Sequence, residues 1–235
     1  MAYFEARDKL AFSTNFKGTL RRFASIPALK RLYPFAQNIF GLRYLDFVYW
    51  QIFESLEDIP MLDIAWNEPW RFEDICRLPN SCIILILHNG FAHGTRALSY
   101  SNKRLAAVIG VLDAVSHFYR RNKINHPEDI EIVPVNSETL LKLADVAKSG
   151  KAIICAPDLV NPTTGRCNLL SMGMFHFAGY ANLPLYYFDF YMDEDCILRG
   201  FIKGPIDLSL GPVKAAEDFI RFCKSISGRN LMFAN

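Results

Sequence analysis

The chain has 235 residues, of which 51% are apolar, 14% aromatic and 21% charged, an ordinary globular composition that excludes intrinsic disorder and collagen-like architecture. Its 26 Lys and Arg stand against 24 Asp and Glu; the net charge of +2 is too small for a nucleic-acid binder, and any basic surface must be local. Six cysteines without a CxxC pair, and a start with no charged segment leading into an apolar signal core, point to a reducing, cytoplasmic compartment.

One domain spanning 1–235 is the expectation at this length, with a helical region over 1–60. Leu29, Leu32, Tyr33, Ala36, Ile39 and Phe40 recur at spacings of three and four after Ser25 and Pro27, which predicts a helix with a defined start. Leu42, Leu45, Tyr49, Ile52 and Phe53 make the stripe of a second helix, broken at Asp58 to Pro60. Lys17, Arg21, Arg22, Lys30 and Arg31 are interleaved with Phe16, Leu20 and Phe23. Such a pattern suits peripheral membrane contact, an acidic protein partner, or a solvated helix face covering core residues.

From residue 81 the pattern changes. The continuous apolar run from Cys82 to Leu87 is what a strand buried on both faces of a parallel sheet requires. Further strands are expected at Leu105 to Ile109, Ile130 to Val135, Ala152 to Cys155, Leu185 to Phe190 and Cys196 to Ile202. Helices are expected at Val111 to Arg121, Glu138 to Lys148, Met172 to Ala181 and Val213 to Ser225. This alternation predicts an α/β fold: a mostly parallel sheet with helices on both faces, preceded by the N-terminal helical segment. Cys82 and Cys155 lie in apolar runs and are expected as buried core thiols. Cys167 to Phe188 has no formal charge and is long enough to span a membrane. Its Asn168, Ser171, His176 and Asn182, with Gly173, Gly179 and Pro184, make it a short strand, a buried helix and another strand.

The strand ending at Leu87 runs directly into His88-Asn89-Gly90-Phe91-Ala92-His93-Gly94, and the carboxyl ends of strands are where sites collect in such sheets. A His there can be held in one tautomer with its other ring nitrogen toward a cleft, as a general base requires. Gly90 and Gly94 permit close backbone approach, and the following helix would aim N–H groups at an anion or developing oxyanion. Asp158 follows a buried strand, either as a neighbour of His88 or as a turn and cap with Asn161 and Pro162. Arg120 and Arg121 precede a loop, suited to a phosphate, an oxyanion or a helix C-terminus. His88 and His93 are five apart, not three or four, and no HExxH, Cys/His cluster or Gly-x-Ser-x-Gly elbow occurs. No metal centre or serine hydrolase is therefore expected.

Over residues 65–207 the order of segments resembles the lysophospholipid acyltransferase-like superfamily, and within it the lipid A biosynthesis (late) acyltransferase branch. The segments are the strand ending in His88 with Gly90 two residues later, Val108-Ile109-Gly110-Val111, the helix with Arg120-Arg121, and Ile132-Val133-Pro134-Val135. They continue with the helix from Ser137 closing at Gly150, Ile153-Ile154-Cys155-Ala156-Pro157-Asp158, and Gly179-Tyr-Ala-Asn-Leu-Pro-Leu185.

The resemblance implies transfer of an acyl group from a thioester on acyl carrier protein or coenzyme A to a hydroxyl or amine, with no bound cofactor and no nucleic acid. It makes His88 the general base, places backbone donors at Gly90 and Phe91, and puts a functional Arg near Arg120 and Arg121. The family's signature is a His, four residues, then Asp or Glu; here His93 takes the acidic position. Neutral imidazole cannot supply the carboxylate's charge, so His93 relays a proton, another carboxylate such as Asp158 or Asp113 takes over, or the chemistry has changed. The donor chain needs an apolar channel, for which Met172, Met174, Phe175, Phe177 and Tyr180 are candidates. A thioester hydrolase and a non-catalytic acyl-chain or carrier-protein binding module are the alternatives.

Overall fold

The computed structural model describes residues 20–40, 43–55, 64–88, 90–100, 104–109 and 130–234. Residues 20–24 are helical, and α1 (Pro27–Phe40) and α2 (Tyr44–Ser55) follow. α1 opens on Pro27, whose missing N–H costs nothing in a first turn, and turns Leu29, Tyr33 and Ala36 inward. Leu32, which the periodicity assigns to the same stripe, is 56% exposed, because it lies at the edge of the arc that those three define. α2 buries Phe47, Val48 and Tyr49.

Seven strands form one sheet: β1 (Ile64–Trp66), β2 (Ile83–Ile86), β3 (Leu105–Ile109), β4 (Ile130–Pro134), β5 (Ala152–Cys155), β8 (Leu185–Met192) and β9 (Leu198–Lys203). Their order is β1-β9-β8-β2-β5-β3-β4. The pairings from β4 through β3, β5 and β2 to β8 are all parallel, whereas β9 runs antiparallel to β8 and carries β1 in parallel on its outer edge. A second sheet, β10-β7-β6, combines β6 (Asp158–Val160), β7 (Cys167–Leu170) and β10 (Met232–Phe233). The intervening helices are α3 (Phe72–Cys76), α4 (Phe91–Tyr100), α5 (Thr139–Lys148), α6 (Gly173–Ala181) and α7 (Pro212–Ser227).

The fold is thus α/β with a mostly parallel mixed sheet behind an N-terminal helical segment. Successive side chains of a strand point to opposite faces, and β2 divides its apolar run accordingly. Cys82, Ile84 and Ile86 join a core with Ala36, Phe47, Val48, Ile75 and Leu98 from α1, α2, α3 and α4. Ile83, Leu85 and Leu87 join a second core with Leu143, Phe175 and Phe219 from α5, α6 and α7. Cys82 and Cys155 are buried as expected. The uncharged segment resolves into β7, α6 and β8, with Asn182 in the left-handed conformation (φ 50°) closing α6. Among the described residues, no helix is long and apolar enough to cross a membrane. The helix expected at Val111 to Arg121 lies outside the described residues, as do Lys17 and Asp113. Cys196 to Ile202 is realised as β9, and β1, β6 and β10 are strands that periodicity did not mark, because runs of two or three residues carry no period.

Candidate active site

β2 and β5 lie side by side in parallel, with Leu85 opposite Cys155. Three residues further along each chain come His88 and Asp158, so the register brings both to the carboxyl end of adjacent strands. Their side chains meet: Nδ1 of His88 lies 2.9 Å from Oδ1 of Asp158, and the same oxygen accepts the backbone N–H of His88 at 3.0 Å. The Asp158 side chain is wholly buried while that of His88 is 58% exposed. An ionised carboxylate only accepts hydrogen bonds, so Nδ1 carries the proton and Nε2 is left as the basic nitrogen toward solvent.

The other carboxylate oxygen is held from behind. The Cys167 thiol, at the start of β7, donates to Oδ2 at 3.2 Å, and the guanidinium of Arg229 stands 3.6 Å from it. Arg229 is only 5% exposed and also donates to the Cys167 carbonyl. Burial pulls the His88 pKa down, but the hydrogen bond and charge of Asp158, aided by Cys167, outweigh it and push it up to about 10. Burial likewise pushes the Asp158 carboxyl up, and the bonds from His88 with the charge of Arg229 outweigh that and hold it below its ordinary range. The pair thus favours a proton on His88, and the neutral form, with Nδ1–H on Asp158 and Nε2 open, is the one that can act as a base.

The remaining sequence candidates fall elsewhere. His93 is 7% exposed in α4, packed between the Tyr49 ring at 5.0 Å and the Phe190 ring at 5.8 Å. The carboxylate that meets His88 thus comes from the neighbouring strand, not from five residues downstream. Gly90 donates its N–H to the Leu87 carbonyl at 2.9 Å, and the Phe91 N–H points to the His88 carbonyl at 3.4 Å. Both N–H groups bond within the turn that leads from His88 into α4. A Cβ on Gly94 would sit 2.4 Å from Ile86 Cδ1, so Gly94 serves the close approach of α4 to β2.

The residues expected to line an acyl-chain pocket are distributed along α6 and its flanks. Met174, Phe175 and Phe177 are buried in the core between the sheet and α7, with Phe175 against Tyr187 at 6.5 Å and Phe219 at 5.9 Å. Tyr180 is 89% exposed, and Met172 precedes the first turn of α6. An uncharged apolar helix fits a core as readily as a channel, and Met174, Phe175 and Phe177 pack in the core. Arg120 and Arg121 lie outside the described residues.

One cluster among the described residues has metal-ligand chemistry: His88, Asp158 and Cys167, whose ligand atoms lie within 4.8 Å of one another. A cation there would displace the His–Asp and Cys–Asp hydrogen bonds and sit beside the Arg229 guanidinium, which opposes it electrostatically. The arrangement therefore suits proton sharing better than metal binding. No protein-family model and no curated protein matches the chain.

Cys167 and Arg229 were not marked by the sequence. Cys167 opens an uncharged stretch, and Arg229 follows Gly228, whose left-handed conformation (φ 73°) ends α7; an Arg after a helix stop ordinarily reads as solvated. It is buried because the chain turns back and β10 pairs with β7, Met232 opposite Leu169. No local signal announces that return.

Proposed function

We propose that the chain is a cytoplasmic acyltransferase, moving an acyl group from an acyl carrier protein or coenzyme A thioester to a hydroxyl or amine. The observation that carries this reading is the His88–Asp158 pair, with Nδ1 bound to a buried carboxylate and Nε2 open. Nε2 takes the acceptor's proton, the acceptor oxygen or nitrogen attacks the thioester carbonyl, and a tetrahedral oxyanion forms. Its collapse breaks the C–S bond, and the departing thiolate takes the proton back from the imidazolium. The cycle needs no resident metal or cofactor. Arg120 or Arg121 is the proposed donor to the oxyanion or to the donor's phosphate.

The resemblance to late lipid A acyltransferases supports the reaction class, and Asp158 supplies the charge that His93 lacks. Arg21, Arg22, Lys30 and Arg31 are exposed, as are Leu32 and Phe35, and exposed cations of this kind suit the steering of an anionic carrier protein or donor. Peripheral membrane contact would use the same residues.

The test is incubation with acyl-coenzyme A and acyl carrier protein in the presence of amine and alcohol acceptors, followed by mass spectrometry. A new acyl ester or amide is expected. His88→Ala and Asp158→Asn, with native circular dichroism, should each lose at least about a hundredfold in rate. Free acid as the sole product would instead mean thioester hydrolysis, and no turnover at all would mean a binding module.

A further inference from the structure

Asp158 divides its two oxygens between two sets of partners. Oδ1 is taken by the His88 backbone N–H and Nδ1, while Oδ2 faces the Cys167 thiol and the Arg229 guanidinium. One nitrogen of Arg229, Nη2, meets two anchors at once, the Asp158 carboxylate and the Cys167 carbonyl, at a reach one atom longer than a Lys ammonium attains. A buried guanidinium is costly unless compensated, and here the compensation is the partner of the candidate base.

We infer that Arg229 is a positioning residue for the dyad: it holds Asp158 ionised and oriented, and through Asp158 it sets the tautomer and proton affinity of His88. The inference rests on the acyl-transfer reading only for its kinetic readout. Arg229 touches no reacting atom in this arrangement; it acts through Asp158.

The groups surrounding Asp158 and Arg229 come from every element packed there. Cys155 ends β5, Cys167 opens β7, Asp189 stands in β8, and Cys223 and Ser227 lie on α7. The charge of Asp158 acts on Cys155 and Cys223, and burial raises both thiols, Cys155 to about 12 and Cys223 well above its ordinary value, so both stay neutral. Asp189 is wholly buried, accepts the Phe190 N–H at 2.9 Å and feels Arg229 and Asp158 with opposite signs. Arg229 is thus the cation shared by two buried carboxylates, of which Asp158 is the one at 3.6 Å.

The experiment uses the full chain, with ring-nitrogen NMR titration of His88 and the pH dependence of acyl-coenzyme A turnover measured together. In Arg229→Gln the cation that offsets part of the Asp158 charge is gone, so the less compensated carboxylate binds the His88 proton more tightly and the His88 midpoint should rise by about half a pH unit or more. In Arg229→Lys the charge remains and the midpoint should hold. The ammonium ends one atom short of the Nη2 position, however, so its grip on Asp158 and the Cys167 carbonyl loosens; the Nδ1 proton should exchange with water about tenfold faster and kcat should fall by about the same factor.

A folded Gln variant with an unmoved His88 midpoint overturns the inference, as does a Lys variant with wild-type proton exchange. Should the Gln variant fail to fold, the Lys variant decides alone. A shifted midpoint in a protein without any turnover would sink the acyl-transfer reading and leave Arg229 in its role.

Discussion

His93 stands where the resemblance to the late acyltransferases leads one to expect a carboxylate, and it is packed between the Tyr49 and Phe190 rings and 7% exposed. An acid placed there would be buried among aromatic rings. His93→Glu should therefore destabilise the fold by several kcal/mol, read as a lowered denaturant midpoint, whereas His93→Leu should stay folded and keep most of its turnover. Restored or raised activity in the Glu variant would return His93 to the chemistry. At His88, the pKa raised to about 10 means that the base form grows as pH rises. The rate should accordingly climb on the alkaline side of the ordinary value of 6.5, and Asp158→Asn should move that limb to lower pH while cutting the plateau. A limb in the same place for both proteins would separate the carboxylate from the base.

The loop from β2 to α4 works because two elements approach closely. Gly94 lies within α4, where replacing Gly by Ala would ordinarily stabilise a helix by about 1 kcal/mol. Here the new Cβ would stand 2.4 Å from Ile86 Cδ1, with Phe190 and Ile154 side-chain atoms 3.6 and 3.8 Å away, and Ile86 is wholly buried. Overpacking in a closed core costs about 1–3 kcal/mol, so the sign should reverse. Gly94→Ala is expected to lower the melting temperature and, by displacing α4 from β2, to lower turnover as well. A more stable Ala variant would show that the helix–sheet gap has room to spare.

Across the whole molecule, buried carboxyls and the dyad impose one direction on the pH dependence of stability. Burial pushes Asp46 and Asp189 from an ordinary 3.8 up to about 7. Between those values the folded chain binds more protons than the unfolded one, so stability falls as pH climbs through that window. His88 extends the trend: its contribution is complete below about 6.5 and is lost as pH rises through about 10. Asp158 opposes only at the acid end, where its contribution is lost as pH falls below the ordinary 3.8. The melting temperature should therefore be highest near pH 4–5 and decline steadily toward pH 9. Asp46 is 8% exposed and accepts the Met192 N–H at 2.6 Å. Asp46→Asn keeps that acceptor and removes the charge, and it should flatten the decline below pH 7. A melting temperature that rises from pH 5 to pH 8 would contradict this account.

By itself the sequence determined the layers and the two residues at strand ends. Continuous apolar runs such as Cys82 to Leu87 require burial on both faces, and helix periods between them leave few ways to cover a sheet, so the α/β class, β2, β5 and the placement of His88 and Asp158 followed from local patterns. Which strands become neighbours is not a local property. β2 lies beside β5, although β3 and β4 intervene in the chain, and only that order puts Asp158 against His88. The same holds for Cys167 and Arg229, gathered by the small sheet β10-β7-β6, and for Met174, Phe175 and Phe177, whose apolar character suited a channel and a core equally. Periodicity reports which face of an element is buried; tertiary structure alone decides what it is buried against, because that choice is made by packing between segments distant in sequence.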